Sequence, residues 1–153
     1  MRHWSMAAVL TAIAATSCLA AKPMTAASIL GTWKGTSTCV GNRPACKNEV
    51  VVYRLLPIEG HPQQVRWLAD KIIDGKREAM GALVFDIDER AGTLRGEFQR
   101  NTTHGVWTFE VADGVMKGKL TLLPGGEVGR DVSVRRVKET EVPEAPPLSD
   151  YAE

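Results

Sequence analysis

The chain has 153 residues, with 19 Lys and Arg against 18 Asp and Glu, a formal net charge of +1, and 44% apolar residues. Such a balance leaves no basic excess to hold nucleic acid or an anionic membrane by general electrostatics. The length and apolar content suit one domain with one core.

The N-terminus has the layout of a secretory leader. Arg2 and His3 form a basic start, Met6 to Ala15 an apolar stretch, and small residues follow, so residues 1–20 are expected to be a signal peptide cut after Ala20. The apolar stretch is too short to cross a bilayer. A competing reading stays open: Ala15-Thr16-Ser17-Cys18 resembles a degenerate bacterial lipobox, with Ala15 where that pattern prefers Leu, and its cysteine would carry a lipid. A membrane association is expected only in that case. Either route exports the chain, to the periplasm, the medium or the cell envelope.

With Cys18 set aside, Cys39 and Cys46 form an even pair in an exported chain, and a disulfide between them is the default. Gly41, Asn42 and Pro44 suit the tight turn between them.

Residues 21–28 read as a linker. Beyond it the chain alternates strand-like runs with turn signals. In order, the runs are Gly31 to Cys39, Glu49 to Pro57, Gln64 to Ile73, Ala79 to Ile87, Thr93 to Gln99, Val106 to Val111, Val115 to Leu123 and Asp131 to Lys138. Asp74-Gly75 and Asp113-Gly114 are hairpin signals. In the sixth run Trp107, Phe109 and Val111 share one face, and in the seventh Met116, Gly118, Leu120 and Leu122 do. No run of helical period follows the leader. The expected fold is all-β: eight antiparallel strands in up-and-down order, closed into a barrel over residues 29–139, with one disulfide loop. Residues 140–153, with Pro143, Pro146, Pro147 and several carboxylates, are expected to form a disordered acidic tail.

Gly31-Thr32-Trp33, opening the first of eight such runs, resembles the calycin superfamily, the lipocalin-like barrels. The resemblance covers roughly Ile29 to Lys138 as a pattern. It implies that Trp33 plugs the closed end of the barrel and that an arginine from the end of the last strand lies across it. Arg135 and Arg136 stand at that place, and strand phase favours Arg136, which shares a face with Val132 and Val134. Gly31, Trp33 and Arg136 are therefore the expected closure. The chain lacks the Thr-Asp-Tyr motif and the C-terminal helix of typical lipocalins, and looks closer to compact exported bacterial proteins of that general shape.

The aromatic residues Tyr53, Trp67, Trp107 and Phe109 are the candidate ligand contacts, with Phe85 and Phe98 beside them in the inventory. The same residues also suit the packed filling of a small barrel. His61 and His104 fall in loops without a partner motif for nucleophilic catalysis. Asp86, Asp88 and Glu89 lack the further oxygens and the glycine of a calcium loop. Asp70, Lys71, Asp74, Lys76, Arg77 and Glu78 read as an exposed mixed-charge hairpin or the rim of a mouth. Asn101-Thr102-Thr103 matches a glycosylation sequon, relevant only in a eukaryotic host. No catalytic residues, metal ligands or cofactor are indicated. The leading expectation is a non-enzymatic binding protein for a small apolar ligand. The alternative is a packed envelope domain, tethered through Cys18, that works through a protein partner.

Overall fold

The structure, a computed structural model, describes residues 24–151. The leader, its cleavage site and Cys18 lie outside them. A single turn, α1 (Ala26–Ile29), precedes eight strands: β1 (Gly31–Cys39), β2 (Glu49–Pro57), β3 (Gln64–Ile73), β4 (Lys76–Asp88), β5 (Thr93–Arg100), β6 (Thr103–Ala112), β7 (Val115–Leu123) and β8 (Glu127–Val137). Each strand pairs with its sequence neighbour, and β8 returns to β1, closing an antiparallel up-and-down barrel. Cys39 is bonded to Cys46.

Local chemistry explains the hairpins. Type I′ turns need two successive residues at positive φ. Asp74 and Gly75 supply them at 49° and 75°, as do Asp113 and Gly114 at 50° and 72°.

Inward side chains follow the period of two. Trp33, Val51, Tyr53, Leu55, Val65, Phe85, Leu94, Phe109, Met116, Val132 and Val134 form one buried cluster. The Phe109 ring lies flat over Gly118, where a Cβ would stand 2.1 Å from its Cδ1. Only glycine leaves room for it.

Three strands, β4, β6 and β8, begin earlier than alternation indicates, and in β4 and β8 a bulge is the reason. On β4, Ala69 pairs with Gly81 but Asp70 pairs with Ala79, so Met80 is an extra residue. On β8, Leu120 pairs with Arg130 but Thr121 pairs with Val128, so Gly129 is extra. A bulge reverses the inward and outward phase of what precedes it. Lys76 to Glu78 and Glu127 to Val128 are thus out of step with the rest of their strands.

The wall is not uniform. β4 and β5 pair only at Asp86–Arg95, Ile87–Leu94 and Asp88–Thr93. From there toward the far end the two strands separate, leaving a seam between residues 81–85 of β4 and 96–100 of β5.

The described segments on either side of the eight strands are packed against them. In the described part of the segment read as a linker, Met24 is buried and Thr25 caps α1 by a reciprocal pair of hydrogen bonds with Ser28; Ile29, the first residue of the expected barrel, is buried too. The tail is ordered rather than loose, with single 3₁₀ turns at Glu139–Glu141 and Leu148–Asp150. It crosses the outer face of β1 to β4. Glu139 accepts from Thr32 and from Arg77, at 2.5 Å for the latter, and the Pro143 carbonyl accepts from Arg77. The Tyr151 hydroxyl donates to Asp70 and accepts from Arg54 at 2.9 Å. Val52 and Leu68, on that outer face, are buried.

This contact also overturns the exposed-hairpin reading for two residues. The Asp70 and Arg77 side chains are fully buried and joined at 2.6 Å. A buried ion pair persists only with its remaining donors and acceptors satisfied, and the tail satisfies them. Lys71 and Glu78 do form an exposed pair, at 3.6 Å.

Candidate functional site

The barrel has a closed end and an open end. At the closed end α1 lies under the start of β1. The Trp33 indole donates to the Ile29 carbonyl at 2.9 Å, and the Arg136 guanidinium stands 4.6 Å from the centre of the Trp33 ring. Arg136 also donates to the Ser28 and Leu30 carbonyls. Gly31, at φ 114°, sits where a Cβ would be 3.1 Å from the Arg136 guanidinium. Trp33 is sealed away from the interior space described next.

At the open end the interior holds a cavity of about 320 Å³. Tyr53, Trp67, Trp107 and Phe98 form its aromatic lining, while Met80 and Leu83 form the apolar wall on β4. The bulge places Met80 in this position. Tyr53 meets Trp67 edge to face at 4.8 Å, and Trp67 lies 6.0 Å from Trp107. Three of the four aromatic candidates therefore share one lining. The fourth does not reach it. Phe109 packs one layer deeper, stacked on Trp107 at 5.7 Å and edge-on to Tyr53 at 6.1 Å, and serves as floor.

A polar rim completes the cavity, from Ser37, Glu49, Gln99, Arg100 and Arg130. Arg130 pairs with Glu49 at 3.1 Å and donates to the Ser37 hydroxyl at 2.9 Å and to the Lys47 carbonyl at 3.1 Å. The last bond ties the rim to the disulfide loop, which β8 also holds through Val40 N–H to Gly129 O, at 3.1 Å. These rim residues were not singled out in the sequence, yet a signal existed. Ser37 is in phase with Trp33, Glu49 with Val51 and Tyr53, Arg100 with Leu94 and Phe98, and Arg130 with Val132 and Val134. Glu49 and Arg100 are the last inward positions of β2 and β5 at the open end, and Ser37 and Arg130 lie one inward position inside it on β1 and β8.

Electrostatics sets what the lining can do. Burial, above all, pushes the Tyr53 phenol well above the ordinary tyrosine range; Glu49 adds to this, while Arg130 and the Ser37 hydroxyl oppose it. Tyr53 is a neutral hydrogen-bonding group rather than a phenolate nucleophile. The Trp67 indole N–H is buried without an acceptor. An unmet donor in a low-dielectric interior costs about 1–3 kcal/mol.

The remaining candidates lie elsewhere. His104 contacts Glu97 at 2.7 Å on the outer surface, and Glu97 is held below the usual carboxylate range by that contact first and Arg95 second. His61 lies in the β2–β3 loop, and neither histidine lines the cavity. Asp86 accepts from Gln64 and Asp88 from the Ala91 amide, which marks an ordinary turn. Among the described residues no group of three or more His, Cys, Asp or Glu could hold a metal ion. Asn101 occupies the β5–β6 turn at φ 52°. No family model, curated protein or solved structure matched the chain.

Proposed function

We propose that this protein is a binding protein that holds a small, largely apolar ligand in the open end of the barrel and performs no chemistry on it. The observation that carries this reading is the aromatic-lined cavity of about 320 Å³. A cavity of roughly 150 Å³ accommodates benzene, so two fused rings are the natural occupant here. An occupant with an oxygen near Trp67 would also relieve its unmet donor. The seam between β4 and β5 offers the ligand a lateral route past Leu83 and Phe98. The base of the barrel, with Arg136 over Trp33, supports a lipocalin-like, calycin reading of the fold. The Cys39–Cys46 bond supports an exported location, as such bonds persist in oxidising compartments.

The test is tryptophan fluorescence of the purified protein titrated with a panel of aromatic hydrocarbons, including 2-methylnaphthalene, with native mass spectrometry on the same samples. A saturable response from Trp67 and Trp107 and a 1:1 complex are expected. No response and no complex across the panel would overturn the proposal.

A further inference from the structure

The rim of the cavity carries more information than its aromatic wall. Of its charged groups, Glu49 is committed to Arg130 at 3.1 Å. That pair is internally neutral and leaves Arg100. A third guanidinium approaches from the disulfide loop. An Arg43 nitrogen occupies the space over Gly129, 2.8 Å from where a Cβ would stand. Arg43, Gly129 and Arg130 line a second hollow, of about 450 Å³, under that loop, so Arg130 is shared by both spaces. Among the described residues neither Arg43 nor Arg100 has an ion pair. Among the residues lining the two hollows, three guanidinium groups therefore face one carboxylate, on a chain whose overall charge is only +1.

The position of these groups decides the chemistry. A ligand whose rings reach Trp67 and Trp107 extends its outer end to the rim, where the uncommitted charges are positive. Guanidinium groups bind planar oxyanions through paired, charge-assisted hydrogen bonds, and shed water more readily than an ammonium does. A cationic ligand would meet the opposite situation, because Glu49 is already paired.

We propose that the ligand is an organic acid: an aromatic body of about two rings inside the barrel, with a carboxylate or comparable oxyanion at the rim, held by Arg100 and by the Arg43–Arg130 side of the mouth. This rests on the binding reading given above. It adds the charge and orientation of the ligand. The disulfide loop becomes part of the site, since it carries Arg43 and fixes Arg130 through the Lys47 carbonyl.

Calorimetric titration of the intact oxidised protein with three probes of one shape tests the proposal: 2-naphthoate, 2-methylnaphthalene and 2-naphthylmethylammonium. The acid is expected to bind about tenfold more tightly than the neutral arene at low salt, the value of one good charge-assisted contact. The ammonium should bind weakest. Arg100→Gln and Arg43→Gln should each bring the 2-naphthoate affinity down toward that of 2-methylnaphthalene, and added salt should do the same. Both are surface substitutions that leave the barrel core intact. Equal affinity for acid and arene, or tightest binding of the ammonium, would overturn the anion assignment and leave the binding reading standing. Absence of binding by all three would overturn both.

Discussion

Arg130 and Arg136 stand at opposite ends of one inward face of β8, the first beside Glu49 at the open rim and the second over Trp33 at the base. Six residues apart, they share the phase of Val132 and Val134, which are buried between them. The same strand thus closes the barrel at one end and charges its mouth at the other. Changes at the two positions should separate cleanly into stability and binding.

Replacing Arg136 with Ala removes the cation–π contact and the hydrogen bonds to Ser28 and Leu30. Because the group is partly solvated, the expected loss is about 1–2 kcal/mol, read by urea denaturation. Arg136→Lys should recover only part of it, since an ammonium cannot both stack and fork. Affinity for 2-methylnaphthalene should not move.

The tail clamp is the more fragile element. Arg77→Met leaves Asp70 charged and fully buried, and should cost about 3–5 kcal/mol. Tyr151→Phe removes one donor to Asp70 while Arg77 remains, and should cost about 1–2 kcal/mol. Both are measured by denaturant midpoints. A tail without structural weight would give no change in either variant.

The clamp also carries a pH signature. Burial works to raise the Glu139 pKa, but the hydrogen bonds from Thr32 and Arg77 and the charge of Arg77 outweigh it and hold the group below 4.5. A depressed carboxylate stabilises the fold above its unfolded value, and that contribution is lost as pH falls through the folded one. Thermal midpoints should therefore drop more steeply below pH 4.5 in the wild type than in Glu139→Gln. At the alkaline end the sign is reversed. Burial first, then the bond to Asp70, pushes Tyr151 up to about 12, so its contribution is present below 10 and disappears as pH rises through about 12. Tyr151→Phe should flatten that limb.

The seam predicts uneven protection. Amide hydrogens of residues 81–85 and 96–100 that point between β4 and β5 have no ladder partner, whereas those on the β3 and β6 sides do. Hydrogen exchange followed by NMR should show fast exchange at the seam-facing amides and slow exchange at their neighbours. Saturation with a bound ligand should slow the seam. Uniform protection along both strands would exclude the lateral route.

Trp67→Phe separates the unmet donor from the ring. Packing area is lost, but so is a buried N–H without an acceptor. The net change in stability is expected within about 1 kcal/mol. Affinity for ring-bearing ligands with an oxygen substituent should fall more than affinity for plain hydrocarbons. Equal losses for both would show that the indole N–H takes no part.

The strand order, the turns at Asp74-Gly75 and Asp113-Gly114, the Cys39–Cys46 bond and the inward set of the strands without a bulge are legible in the amino-acid sequence, because they depend on neighbours in the chain. A period of two places Trp33, Tyr53, Trp67 and Trp107 inside, and equally marks Ser37, Glu49, Arg100 and Arg130 as inward. It does not say that these four come together. That depends on closure of the barrel, which brings inward positions near the open ends of β1, β2, β5 and β8 to one rim. The bulges at Met80 and Gly129, the narrow pairing of β4 with β5 and the seat of Phe109 over Gly118 are likewise tertiary, since each is set by the partner strand. The tail shows the limit most plainly. Its prolines and carboxylates read locally as disorder, and only the buried Asp70 and Arg77 on strands formed some sixty to eighty residues earlier supply the partners that Glu139 and Tyr151 need.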